Sequence, residues 1–164
     1  MKTNYELRYA AHPEDAKSYD TKRLRRDFLI KNLFSENEVN MVYSMYDRMI
    51  VGGAMPVNEI LHLEAIDPLK QPVFLRRREI GIYNVGGKGK VKVGDDVFEL
   101  DYKEALYLGS GDREVYFESM DAGNPAKFYF NSAAATCNYT FIWGMAGENL
   151  DYGDQDFSEI EDLK

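Results

Sequence analysis

Strand-sized apolar runs recur along this chain at intervals of about ten residues, and that rhythm limits the fold more than any other feature. Residues 39–46 and 48–51 are rich in β-branched and aromatic side chains. A short run at 60–63 follows, closed by an Asp67-Pro68 turn. Next come 80–85, 90–93 and 97–100, broken by Gly86-Gly87-Lys88-Gly89 and Gly94-Asp95-Asp96, so that the last two read as a hairpin. Runs at 105–108, 114–117, 127–130 and 139–143 complete the series. Short strands at this spacing with glycine-rich turns predict a mainly β sandwich or barrel. No equal-period repeat points to a solenoid. Gly52-Gly53 and Pro56 read as punctuation between strands. Ahead of the strands, the first 20 residues are polar and aperiodic and read as an extended arm. Thr21 is placed to cap a helix through Phe28, kept short by the basic residues Lys22, Arg23, Arg25 and Arg26, which oppose the positive end of the helix dipole.

The chain has 164 residues, the size of one domain at about 150 residues each and enough for a real core. Its net charge of −8 and pI of 4.8 argue against a nucleic-acid partner. The acidic excess is local: Glu148, Asp151, Asp154, Asp156, Glu159, Glu161 and Asp162 face a single base, Lys164, and read as a solvated tail. One cysteine, Cys137, leaves no intramolecular disulfide and fits a reduced, cytoplasmic setting. The first residues lack the apolar stretch of a secretion signal, and no run reaches the length of a membrane span.

Within the strand series, Glu79-x6-Gly86 matches the second half of the first cupin motif, and residues 103–114 match the second motif in spacing. The expected fold is therefore a cupin-like jelly roll (a double-stranded β-helix) with a short N-terminal helix. A metal-binding cupin carries two histidines ahead of the glutamate. Here those positions hold Pro72, Val73, Phe74 and Leu75, and Glu114 stands at the second motif's histidine. A first-row metal needs several converging N, O or S ligands, so a filled or dry barrel is expected, with Glu79 paired to Arg76, Arg77 or Arg78.

The wording of several segments is more specific. Asp27-Phe28-Leu29-Ile30, Asp47-Arg48-Met49-Ile50-Val51-Gly52-Gly53, Arg77-Arg78-Glu79-Ile80-Gly81, Glu104-Ala105-Leu106-Tyr107-Leu108-Gly109 and Asn124-Pro125-Ala126-Lys127-Phe128-Tyr129 resemble the 5-keto-4-deoxyuronate isomerases, also called 4-deoxy-L-threo-5-hexosulose-uronate ketol-isomerases. That family is built from two cupin halves and acts on unsaturated uronates released from pectin and related polyuronides. The resemblance implies a shortened chain. Residues 1–131 resemble the N-terminal arm and first cupin. Residues 132–164, with Tyr139-Thr140-Phe141-Ile142-Trp143-Gly144-Met145, resemble the last strand and acidic tail of the second. Near the junction, Asn131-Ser132 stands in place of a His-Ser.

The family holds zinc through three histidines and a glutamate of the second cupin, and none of the four has a matching position here. His12 and His62 do not correspond to them and read as ordinary polar or packing residues. No catalytic residue, metal ligand or substrate-binding residue is assigned, and no cofactor is expected for this chain. Arg76, Arg77, Arg78 and Arg113 suit a uronate carboxylate by chemistry, or serve as surface and strand-edge charges. The functional expectation is by lineage a ketol-isomerase of pectin-derived keto-deoxyuronates, alternatively a non-catalytic module for sugar-acid binding or oligomerisation. The expected partners are a small sugar acid and further copies of the chain, since 12 Tyr, 9 Phe and 1 Trp can serve interfaces as well as the core.

Overall fold

Eleven strands form among the described residues, all but the first where an apolar run lies, and they sort into two sheets. The computed structural model describes residues 2–135 and 141–145. The strands are β1 (Lys2–Arg8), β2 (Glu38–Ser44), β3 (Ile50–Ala54), β4 (Leu61–His62), β5 (Arg78–Asn84), β6 (Gly89–Val93), β7 (Asp96–Leu100), β8 (Glu104–Leu108), β9 (Val115–Ser119), β10 (Phe128–Ala134) and β11 (Phe141–Met145). Two helices, α1 (Pro13–Ala16) and α2 (Thr21–Phe28), precede β2. The larger sheet runs β1-β2-β3-β10-β5-β8-β11, the smaller β4-β9-β6-β7. From β3 to β10 the chain passes repeatedly between the sheets, the winding of a jelly roll. The fold is thus the mainly β, cupin-like one expected.

The core lies between the sheets. Ile80, Ile82, Leu106, Leu108, Phe128 and Phe130 of the larger sheet meet Val91, Val93, Val115 and Phe117 of the smaller, all buried. The Phe117 ring stacks on Phe128 at 5.2 Å and on Phe130 at 6.2 Å, closing the gap between layers. Asn84 is buried at the end of β5. Its amide donates to the Gly87 and Leu100 carbonyls at 2.7 and 2.9 Å and accepts from the Gly86 and Lys127 N–H groups at 3.1 and 3.3 Å.

Several local expectations are corrected. The arm is partly ordered: β1 pairs in parallel with β2, Asn4 opposite Asn40. Helix α2 has the expected span, but its cap is Asp20, whose carboxylate accepts from the Arg23 N–H at 2.7 Å. That anion offsets the basic first turn. Gly52 and Gly53 do not punctuate; they lie inside β3. A Cβ on Gly52 would run into the Phe130 ring, and one on Gly53 would come within 2.6 Å of the Leu33 carbonyl oxygen. Bare backbone there lets the core close on one face and residues 29–34 lie across the other. Strand β10 runs unbroken through the Asn131-Ser132 junction, and β11 joins the free edge of β8. Cys137 and the acidic segment from Glu148 lie outside the described residues.

Candidate functional site

A strand that sends Ile80 and Ile82 inward must send Glu79, Gly81 and Tyr83 outward. Glu79 therefore lies on the outer face of the larger sheet, not in the barrel. Its carboxylate accepts a hydrogen bond from the Tyr107 hydroxyl at 2.9 Å. The expected pairing with a neighbouring arginine does not occur. Both residues line a hollow of about 340 Å³ with Met49, Tyr83 and Asn131.

The other motif positions do not converge on Glu79. Phe74 and Leu75 are core residues on a 3-10 turn. Glu114 is exposed and accepts from the Tyr116 hydroxyl at 2.6 Å, which holds the phenol above its ordinary pKa. His62 stacks on the Tyr116 ring at 4.6 Å. His12 caps α1, its Nδ1 accepting from the Glu14 N–H at 3.3 Å.

The four arginines are also separated in role. Arg76 pairs with Asp112. Arg113 donates to the Gly109 carbonyl at 3.0 Å. Arg77 is exposed. Arg78 is 5% exposed. It donates to the Ser132 hydroxyl at 3.0 Å and to the carbonyls of Ser132 and Arg48 at 2.7 Å each. Burial pulls its pKa down, and its contacts are to neutral oxygens of β10 and the β2–β3 turn. It fastens that turn to the sheet.

Polar chemistry gathers elsewhere, where sequence reading assigned no site. Residues 25–33 roof the outer face of β1 and β2, leaving a groove of about 400 Å³. Its floor holds Asn4 and Asn40. Asn4 Nδ2 donates to Glu38 Oε2 at 3.1 Å and to Asn40 Oδ1 at 2.9 Å. Asn40 Nδ2 is buried without a partner. Arg8 crosses the groove, bonded to Glu6 at 3.0 Å and to the Leu29 carbonyl at 3.0 Å. The signal present in the sequence was the basic run 22–26 followed by Lys31; its partner surface was set by a strand pairing that no local pattern announces.

A scan against known family models finds no match. Whole-chain comparison finds 4-deoxy-L-threo-5-hexosulose-uronate ketol-isomerase 1 of Bacteroides thetaiotaomicron at 48% identity over 280 positions, spanning 100% of both chains. The Bacteroides fragilis ketol-isomerase is 46% identical over the same span. With 164 residues here, more than a hundred of those 280 positions face no residue of this chain. The Formosa agariphila ketol-isomerase is 54% identical over 139 residues, 85% of this chain and 50% of that one. Among solved structures, a cupin protein from Bacteroides fragilis shares 13% identity at a TM-score of 0.36, covering 62% of this chain and 70% of that one. The cupin domain of Schizosaccharomyces pombe Cnp3 shares 11% at 0.35, covering 54% of each. At such scores these two add nothing to the topology already described.

Proposed function

Because the chain belongs to the 4-deoxy-L-threo-5-hexosulose-uronate ketol-isomerase family, in a shortened form, we propose that it serves the metabolism of pectin-derived keto-deoxyuronates as a module that binds a sugar acid without isomerising it. A donor count carries this reading. Ketol isomerisation passes through an enediolate whose charge needs an electrophile, which zinc supplies when bound. The family's zinc requires three imidazoles and a carboxylate, and this chain has two histidines. One caps a helix, the other stacks on a tyrosine, and Glu79 faces away from the barrel. Among the described residues no group of three His, Cys, Asp or Glu is placed to hold a metal ion. The residues present do not fit the family's zinc.

Cytoplasmic residence and homo-oligomeric assembly belong to the same proposal. Among the described residues, no helix is long and apolar enough to cross a membrane. The deciding experiment gives the purified chain 4-deoxy-L-threo-5-hexosulose-uronate with added zinc and follows both binding and turnover. Binding without turnover is expected. Turnover comparable to a full-length relative's, with stoichiometric zinc surviving dialysis against chelator, would restore the catalytic reading.

A further inference from the structure

We propose that the hollow on the outer face of the larger sheet, built around Gly81, binds a small hydroxylated ammonium ion, with its cation on the Glu79 carboxylate and a hydroxyl on Asn131. The inference is independent of the sugar-acid reading above, and its ligand carries the opposite charge.

The pairing of three strands builds the site. Gly81 on β5 stands opposite Asn131 on β10 and Tyr107 on β8. Glu79 and Tyr83 lie two residues to either side of it, on the same face. At a strand spacing of about 4.8 Å and a rise of about 3.4 Å per residue, these four residues frame an area of about 10 by 13 Å, the scale of one six-membered ring with its substituents. Gly81 leaves the floor bare. A Cβ there would stand 3.2 Å from Asn131 Oδ1 and 3.6 Å from the Tyr83 ring. The hollow of about 340 Å³ lies within the range of small-molecule pockets.

The groups around that floor are uncommitted. Glu79 is half-buried, and the Tyr107 hydroxyl at 2.9 Å is its one hydrogen-bond partner among the described residues. No lysine, arginine or histidine lines the hollow, so nothing there balances the carboxylate. The Asn131 side chain is half-buried too, and it makes no hydrogen bond among the described residues. Tyr83 is 45% exposed. An ammonium ion supplies the missing charge and up to three donors to the free lone pairs of Glu79. The Tyr83 ring adds the attraction of an aromatic face for a cation. Asn131 offers both a donor and an acceptor, which suits a hydroxyl. Met49, Ala105 and Ala133 give apolar walls for the carbon skeleton. An anion is repelled by Glu79, and a neutral sugar leaves its charge unbalanced.

Calorimetric titration of the full chain with D-glucosamine, with D-glucose and D-glucuronate as competitors, tests the proposal. Glucosamine should bind, glucose should bind about tenfold more weakly or less, and glucuronate should not displace glucosamine. Glu79→Gln keeps an oxygen for the Tyr107 hydroxyl and removes the charge, while Gly81→Val fills the floor. Each should lower glucosamine affinity roughly tenfold or more. Glu118→Gln, at an exposed acid on the smaller sheet, should leave it unchanged. Circular dichroism should show each variant folded. Affinity undiminished in both Glu79→Gln and Gly81→Val overturns the site, and so does an equal loss in Glu118→Gln, which would mark a general attraction to an acidic chain. Glucose binding as tightly as glucosamine, or glucuronate displacing it, overturns the ligand class. No binding of glucosamine by the wild-type chain overturns the proposal and leaves the sugar-acid reading standing, since that reading is tested with the keto-deoxyuronate.

Discussion

Two asparagines illustrate the difference between the barrel interior and the groove on its outside. Asn84, fully buried, donates twice and accepts twice. It is a clamp between the turn after β5, the end of β7 and the start of β10. Asn40 accepts once, and its NH2 finds nothing. In the interior the polar group is closed on itself and the remaining space holds phenylalanine and aliphatic side chains. Under α2 the NH2 is shut away from solvent without an acceptor. A satisfied buried amide helps specify the fold, whereas an unsatisfied one costs stability.

The strongest way to break this contrast is to open the interior. Phe117 is fully buried and touches two further phenylalanine rings. Phe117→Ala should cost about 3–5 kcal/mol in urea denaturation, with a lower midpoint and little change in slope. A loss below about 1 kcal/mol would mean that the space between the sheets is loosely filled, contrary to the packed core argued above. Next comes Asn84→Ala, which strands two carbonyls and two N–H groups at once. A loss of about 2–4 kcal/mol is expected.

Asn40→Leu sharpens the same comparison from the other side. Asn4 keeps the Glu38 carboxylate, and the orphan donor disappears. Stability should stay within about 1 kcal/mol of wild type. If Asn40→Leu costs as much as Asn84→Ala, Asn40 is a structural clamp too.

How much of this was legible in the sequence follows the range of the interactions. Strands β5 to β9 were readable because each carries its own alternation and is bounded by its own turn, as with Gly94 at φ +59° between β6 and β7. The outward direction of Glu79 was also written locally, in the apolar pair Ile80 and Ile82, although its partner, Tyr107 on β8, was not. One residue of register turns every side chain to the opposite face, so matching a motif's spacing does not place its glutamate inside the barrel. Strand β1 was not readable. Its pairing reaches a segment 36 residues away, and nothing in residues 2–8 names that partner. The groove depends wholly on that pairing, so its residues could be noticed only as a basic run. The hairpin turn at Asp47-Arg48 was hidden differently. Both residues take positive φ, 51° and 53°, a conformation usually marked by Asn-Gly.

The smallest expected effect concerns the rim of the groove and its response to acid. Asp27 is half-buried at the surface, and the hydrogen bond from Arg26 holds its carboxyl below the ordinary value of 3.8, helped by the charges of Arg26 and Arg23. The folded state therefore binds fewer protons at this group than the unfolded chain does. Its contribution is complete above 3.8 and is lost as pH falls below that value through the still lower folded pKa. Solvent screening keeps the contribution small. Thermal melts of wild type and Asp27→Asn across that range should differ slightly near neutral pH, with wild type higher, and converge in acid. A gap that persists under acid would show that Asp27 supports α2 by its shape or its hydrogen bonds to neutral groups. The fixing of Arg26 would then not be electrostatic.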